Sequence, residues 1–450
     1  MELALQEFEA QLIDMVRDLV RIDTTNPPGN EIEAARYLTA RLAPAGIETE
    51  LIEPRPGRGN LVARLRGTGE GKPLVLMGHL DVVAANPAEW RYPPFAAEIH
   101  DGFIWGRGTT DMKDMIAISA TIMLALARLG RPLKRDVVLM ATADEEQGGD
   151  WGMAWLVKNR PELFDVACAI NEGGGGALKV GEKLFYTCQS AEKGVCRTVW
   201  TARAKGGHGS HPRADIATLQ LTRALCKLGD GYLDARVIDT MRTALNIIAA
   251  AKSADAVAEM NALLDQGHLA QAMLTAGFDQ EGVERYRPLF HDTVSVTGLQ
   301  AGDPRYINVI PPVATAYLDG RILPGQTADG LMQQLRDRLD GEKVDIAIYD
   351  RQYATGSESS TDAPIFQTIS QVVAEQCDGA QVIPWQCQGA TDAKHLLSLG
   401  IPVYGFVPNK PLPEGIEGAG PHANNDRVWL ENLPFALHIL ADIAYRFCTQ

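Results

Sequence analysis

Three apolar runs in the first half of the chain each lead into residues able to bind a metal ion. No other feature limits the fold as much. The runs are "PLVLMGHLDVV" (73–83), "DVVLMATADEE" (136–146) and "DVACAINEGGGG" (165–176), and they carry His79 and Asp81, Glu145 and Glu146, and Glu172. Helical patterns separate them: one from Asp114, stopped by Gly130 and Pro132, and another near Gly152 to Lys158. Strands alternating with helices predict an α/β domain with a mainly parallel central sheet. In such sheets ligands bind beyond the carboxyl ends of the strands, where these polar residues fall.

The pattern changes after residue 192. "GVCRTVWTARAKGGHGSHP" alternates like a half-exposed strand, helical segments run from about Ala214 to Ala276, and "TVSVTGLQAG", "NVIPPVATAYLDGRI" and "KVDIAIYDRQ" look like further strands. This predicts an inserted α+β unit. A helix resumes near Thr361, apolar "IPVYGFVPN" follows, and a final helix starts near Leu430. The expected organisation is therefore 1–192 and 352–450 as two parts of one domain, with 193–351 inserted between them.

At 450 residues, 46% hydrophobic and 22% charged, the chain has the size and composition of a two-domain globular protein. A net charge of -15 disfavours nucleic acid or an anionic membrane as partner. The start carries acids at Glu2, Glu7, Glu9 and Asp14, so it reads as an amphipathic helix and not as a signal peptide. The most apolar stretch, Met115 to Leu129, contains Ser119 and Thr121, ends near Arg128 and is too short to span a membrane. Seven scattered cysteines with no C-x-x-C pair suggest reduced, mostly buried thiols and a cytoplasmic protein.

Each candidate site residue has a chemical reading and a plainer one. In a strand, residues i and i+2 point the same way, so Asp81 can accept from the His79 ring and fix its tautomer; the pair also suits an ordinary hydrogen bond. "GRGTTDMKD" (106–114) makes a turn and places Asp111 near a helix start, which is favourable for an acid with or without a metal. In "DEE", one glutamate can bind metal while its neighbour handles protons, or all three acids can cap a solvated helix. Glu172 in "NEGGGG" and His422 in "GAGPHANNDR" are either ligands or loop residues. Taken together, two histidines, one aspartate and two glutamates suit a pair of borderline ions such as Zn²⁺, whereas Mg²⁺ and Ca²⁺ prefer oxygen alone.

The ordered set "MGHLDVV", "GRGTTDMKD", "ADEEQGG", "NEGG", "GGHGSHP", "NVIPP", "LDGRILPG", "GATDAKH" and "GPHANND" resembles the M20 family of co-catalytic zinc amidohydrolases and exopeptidases. The resemblance spans nearly the whole chain. It implies a zinc-exopeptidase-like catalytic domain with an inserted lid and dimerisation domain. It also implies two Zn²⁺ per chain, replaceable by Co²⁺ or Mn²⁺, with Asp111 bridging, His79 and Glu172 on one ion, and Glu146 and His422 on the other. Glu145 is then the general base, Asp81 orients His79, and the peptide after Asp111 is cis. His208 is expected to enter a partner's active site in a homodimer formed through the lid. Asn308, Arg321, Gly389 and Thr391 are expected around the substrate carboxylate and carbonyl.

The implied reaction is hydrolysis of an amide or peptide bond next to a carboxylate, in an N-acyl amino acid, a dipeptide or the C-terminal residue of a peptide. A metal-bridging water attacks, Glu145 takes its proton, and His208 helps to stabilise the oxyanion. Three departures from the family pattern stand out: Asp114 after Lys113 where glycine is common, Asp426 where glutamate is frequent, and longer lid helices between about 230 and 290. A phosphate loop is excluded, since "GTGEGK" precedes its strand and "GALKVGEK" lacks the Gly-Lys-[ST] ending. A catalytically silent metal-binding or interaction protein on the same fold is the alternative; the presence of both Glu145 and Asp111 weighs against it. His100, His268, His291, His395 and His438 are expected to be structural or exposed, and His211 is given no role.

Overall fold

The computed structural model describes residues 5–416 and 418–450. Two compact units divide the chain: Met1–Ser190, Ser359–Pro384 and Thr391–Gln450 form one, and Ala191–Glu358 with Trp385–Ala390 form the other.

The first unit is built on a sheet in the order Glu48–Arg55, Arg58–Leu65, Val137–Thr142, Leu74–His79, Cys168–Asn171, Val403–Gly405, Lys183–Glu192. Its centre is parallel. Leu74–His79 runs parallel to Val137–Thr142 on one side and to Cys168–Asn171 on the other, which in turn runs parallel to Val403–Gly405. Every residue of Leu74–His79 and Val137–Thr142 is buried, which is why these segments read as unbroken apolar runs. Antiparallel strands flank this centre, including the hairpin of Glu48–Arg55 with Arg58–Leu65.

The helices Gln6–Arg21, Lys113–Leu129, Pro364–Gln376 and Asn432–Thr449 pack into one apolar core with the sheet. Met153–Asn159 contributes to a second core, which includes Val75, Met77, Val138 and Met140. Because successive strand residues face opposite ways, Leu76 and Leu139 serve the first core while Val75 and Val138 serve the second. Lys113–Leu129 ends at Gly130, whose φ of 63° is the left-handed conformation that glycine adopts most cheaply. The N-terminal helix is amphipathic as expected, burying Phe8, Leu12, Val16 and Leu19; the part of that expectation on residues 1–4 lies outside the described residues.

The second unit carries an antiparallel sheet in the order Tyr232–Ala235, His291–Ala301, Val313–Ile322, Gly194–Arg203, Asp345–Ala354. The helices Ala217–Leu228 and Ala328–Arg338 bury Leu221, Ala224, Leu331 and Leu335 against Trp200, Ala316 and Leu318 of this sheet. The expected helical run from Ala214 to Ala276 needs one correction, since strand Tyr232–Ala235 interrupts it; the helices Asp239–Ala250, Ala254–Asp265, Leu269–Ala276 and Gln280–Tyr286 fall within the stretch 230–290 where long lid helices are expected.

Among the described residues, no helix is long and apolar enough to cross a membrane. Among the described residues no disulfide joins the cysteines; Cys168, Cys188, Cys196 and Cys448 are buried, while Cys226 is exposed.

Candidate metal centre

The centre lies within the first unit, at the carboxyl ends of its parallel strands. His79 closes strand Leu74–His79 and is fully buried. Its Nδ1 lies 2.9 Å from the main-chain oxygen of Asp81, which places a proton on Nδ1 and turns Nε2 into the site. The Asp81 carboxylate, the group expected to orient this ring, stands farther off at 3.5 Å. That carboxylate has other partners. Its Oδ1 accepts the Glu145 N–H at 3.1 Å, and its Oδ2 accepts the Glu146 N–H at 3.1 Å and the Asn26 amide at 2.8 Å.

Glu145 and Glu146 sit on a short 3₁₀ turn, Glu145–Gln147, directly after strand Val137–Thr142. Asp144 enters this turn with a φ of 72°, held by its Oδ2 accepting the Trp151 N–H at 3.1 Å. The chain returns so closely that a Cβ on Gly152 would strike the Ala143 carbonyl oxygen. Asp111 follows the Gly-rich turn, and its peptide bond to Met112 is cis. Buried Asp426 fastens this turn to the His422 loop: its carboxylate accepts the Gly108 N–H at 2.9 Å and the hydroxyls of Thr109 at 3.0 Å and Thr110 at 2.7 Å.

These segments bring five candidate ligands together. Asp111 Oδ1 lies 3.0 Å from His79 Nε2, and its Oδ2 lies 3.1 Å from His422 Nε2. Glu146 Oε2 is 3.0 Å from His422 Nε2, and Glu172 Oε1 is 3.8 Å from His79 Nε2. His79, Asp111 and Glu146 offer ligand atoms within 4.8 Å of one another, as do His79, Glu145 and Glu172. The Glu146 Oε1 atom is buried without a hydrogen-bond partner.

The electrostatics show a shortage of positive charge. Burial pushes Glu145 up to about 8 and Glu172 well above the usual carboxylate range, with neighbouring acids adding to both. Burial also raises Glu146. Burial would raise Asp111 too, but hydrogen bonds from His422 and His79 hold it well below its ordinary value. The histidines answer in the opposite sense. His422 rises to about 9, chiefly through its bond to Asp111, and His79 is raised against the effect of burial by Asp111 and Asp81. Both histidines thus favour protons where they face carboxylates, at positions that divalent cations would serve equally well. The donor set of imidazole nitrogens and carboxylate oxygens, with an orphaned buried oxygen on Glu146, fits two such ions.

The remaining candidates are distributed differently. His208 and Asn308 are exposed neighbours in the second unit, where the Gly209 N–H donates to the Asn308 main-chain oxygen at 2.6 Å. His208 Nδ1 meets the Ser210 hydroxyl at 2.7 Å. Arg321, also in the second unit, forms a two-point ion pair with Asp319 at 2.6 and 3.2 Å. Gly389 falls in the short excursion Trp385–Ala390, whereas Thr391 belongs to the first unit, where its hydroxyl accepts from the Asn171 amide at 3.1 Å and the Ala393 N–H at 3.1 Å. Sequence reasoning passed over Asn26 and Arg58 and saw Asp144 only as one of three adjacent acids. The string "NPPGN" at 26–30 gives no sign of which strand it lies against.

A family model described as peptidase family M20/M25/M40 matches residues 75–446. The N-fatty-acyl-amino acid synthase/hydrolase PM20D1 of Xenopus tropicalis is 25% identical, over 95% of this chain and 84% of its own length. A probable succinyl-diaminopimelate desuccinylase of Staphylococcus aureus is 25% identical, over 86% of each chain. The M20 family metallo-carboxypeptidase of Sulfolobus solfataricus shares the fold with a TM-score of 0.71 at 18% identity, covering 96% of this chain and 98% of that one. A family match of that extent, on a chain with this sheet and this cluster of side chains, makes the protein a hydrolytic enzyme of peptidase family M20/M25/M40.

Proposed function

We propose that the protein hydrolyses an amide or peptide bond adjacent to a carboxylate, with two divalent metal ions held by His79, Asp111, Glu146, Glu172 and His422. The observation that carries this reading is the geometry of Asp111, whose two oxygens face two different histidines at 3.0 and 3.1 Å. A carboxylate so placed suits a bridge, with His79 and Glu172 on one side and Glu146 and His422 on the other. Bound there, the ions, by preference Zn²⁺ with Co²⁺ or Mn²⁺ able to substitute, would polarise the scissile carbonyl and lower the pKa of an attacking water.

The chain's own residues supply the rest. Glu145 is the general base: it takes the proton from water and returns it to the departing amine, which must leave neutral. Its main-chain N–H is fixed by Asp81, so its carboxylate is carried on a rigid turn. Asp81 also holds the His79 ring through its carbonyl oxygen. His208 stabilises the developing oxyanion, delivered from a second copy of the chain. Arg321, Asn308, Gly389 and Thr391 bind the substrate carboxylate and carbonyl, and the guanidinium fork of Arg321 already grips a carboxylate, that of Asp319.

Residues 193–351 act in this reading as the lid and dimerisation domain. Supporting this, strand His291–Ala301 pairs with Tyr232–Ala235 only at its beginning, and Val296 and Leu299 beyond that point are exposed. A free strand edge with apolar side chains suits pairing with a second copy. Cysteines that form no disulfide among the described residues fit a reducing, cytoplasmic setting.

N-acyl amino acids, dipeptides and C-terminal residues of peptides all offer an amide beside a carboxylate. The names of the two curated relatives, one a fatty-acyl-amino acid hydrolase and one a probable desuccinylase, favour N-acyl amino acids. A panel of N-acyl amino acids and dipeptides, assayed with Zn²⁺, Co²⁺ or Mn²⁺, tests the proposal. Turnover of substrates with a free carboxylate and not of their amides is expected. Equal turnover of both, or none across the panel, would overturn it.

A further inference from the structure

The segment Thr24–Asn26 is strapped along Leu80–Val82, the stretch that follows His79. The Thr24 hydroxyl donates to the Leu80 carbonyl at 2.6 Å, the Val82 N–H to the Thr24 carbonyl at 3.2 Å, and the Asn26 N–H to the Val82 carbonyl at 2.9 Å. The strap delivers one buried amide to the back of the metal centre. Asn26 Nδ2 donates to Asp81 Oδ2 at 2.8 Å and to Asp144 Oδ1 at 3.0 Å. Its Oδ1 accepts from Arg58 Nη1 at 2.9 Å. This orientation of the amide is forced, because a guanidinium only donates and ionised carboxylates only accept.

Asn26 therefore joins the two strand ends that build the centre. Asp81 follows His79, and Asp144 opens the turn that bears Glu145 and Glu146. Both carboxylates are buried, and the two protons of one amide keep them at a fixed separation. Arg58 completes the arrangement from behind, with Nη2 at 2.6 Å from Asp144 Oδ1 and 2.9 Å from Glu31 Oε1. Removing the amide would leave two buried like charges facing each other, with Arg58 placed to neutralise only Asp144. Asp81 would then lose the contact that aims its oxygens at the Glu145 and Glu146 N–H groups.

We propose that Asn26 is a positioning residue for this enzyme: through Asp81 and Asp144 it sets the place of the Glu145–Glu146 turn relative to His79. The inference rests on the metal-dependent hydrolysis proposed above. Asn26 touches neither substrate nor ligand atoms; it acts through the carboxylates that do the holding. Groups behind metal ligands typically change affinity or activity by about 10–100-fold when lost.

The test uses full-length Asn26→Leu, which keeps the volume and removes both donors, and Asn26→Ser, which keeps one donor. Zn²⁺ affinity is measured without substrate, by competition with a chromophoric chelator well below the melting temperature, and kcat and KM are measured separately. For Asn26→Leu the expectation is a Zn²⁺ affinity and a kcat each lowered about 10–100-fold with KM little changed, and for Asn26→Ser an intermediate loss. If Asn26→Leu does not fold, Asn26→Ser carries the test. A folded variant with wild-type Zn²⁺ affinity and kcat, even with a lower melting temperature, would make Asn26 merely structural and overturn the inference alone. Wild-type protein that binds no Zn²⁺ would instead bring down the metal-centre reading, and this inference with it.

Discussion

The carboxylate of Asp81 caps the turn that begins at Glu145, accepting the Glu145 N–H at 3.1 Å while its second oxygen takes the N–H of the next residue. The residue expected to orient His79 thus also anchors the segment carrying the proposed base. Asp81→Asn replaces one acceptor oxygen by an NH₂ group that would point a donor at a donor. It is expected to lower kcat about 10–100-fold, with loss of bound metal on dialysis. Steady-state kinetics with elemental analysis checks this, and an unchanged kcat would return Asp81 to a minor role.

Neighbouring glutamates on one short turn are expected to fail in different ways. Glu145→Gln should retain its metal and lose about 10²–10⁴-fold in rate, the usual contribution of general acid–base help. Glu146 faces His422 at 3.0 Å, so Glu146→Gln should instead weaken the ion on that side. Metal content and kcat measured on both variants separate the two roles. Near-normal turnover in Glu145→Gln would mean that another group moves the proton.

Glu31 makes a prediction about pH. It is fully buried beside Arg58, and burial pushes its carboxyl from 4.5 up to about 7 despite that guanidinium. A carboxyl whose folded pKa lies above its unfolded value binds a proton in the folded state that the unfolded state has released. Its contribution to stability therefore falls as pH rises from about 4.5 to about 7 and is flat outside that window. Glu31→Gln should flatten this slope. Urea unfolding across the window should show wild type losing up to roughly 3 kcal/mol relative to the variant. Parallel pH dependences in the two proteins would show that Glu31 stays ionised beside Arg58.

His208 supplies a test of assembly. If it acts in a partner's site, Glu145→Ala and His208→Ala are each nearly inactive alone, yet a mixed dimer contains one site with both residues intact. Random subunit exchange in a two-fold dimer should restore about a quarter of wild-type activity, half the dimers being mixed and half their sites intact. Co-purification through two tags enriches the mixed species. No recovery in verified heterodimers would place any action of His208 within its own chain.

Much of the first unit was legible because its central strands are buried on both faces. Leu74–His79 and Val137–Thr142 stand out as continuous apolar runs, and the polar residues that follow them mark the strand ends where ligands gather. The hairpin of Glu48–Arg55 with Arg58–Leu65 was not legible. Its first strand is mostly exposed, with a single buried residue, Ile52, so its apolar pattern is broken. Strand Tyr232–Ala235 was hidden for a similar reason: four residues, one of them buried, between two helices. The polar groups behind the site were invisible because they come from distant segments. Asn26, Arg58 and Asp144 lie far apart in the chain and meet in the folded structure, and nothing in "NPPGN" or "PGRGN" announces that contact.

The most direct measurement is the metal content of the purified enzyme before and after chelation, with activity followed on the same samples. Two divalent ions per chain are predicted, with amide hydrolysis lost on exhaustive chelation and regained when Zn²⁺, Co²⁺ or Mn²⁺ is returned. Protein that carries no tightly bound divalent metal, and hydrolyses its substrate as well after prolonged chelation as before, would contradict the account.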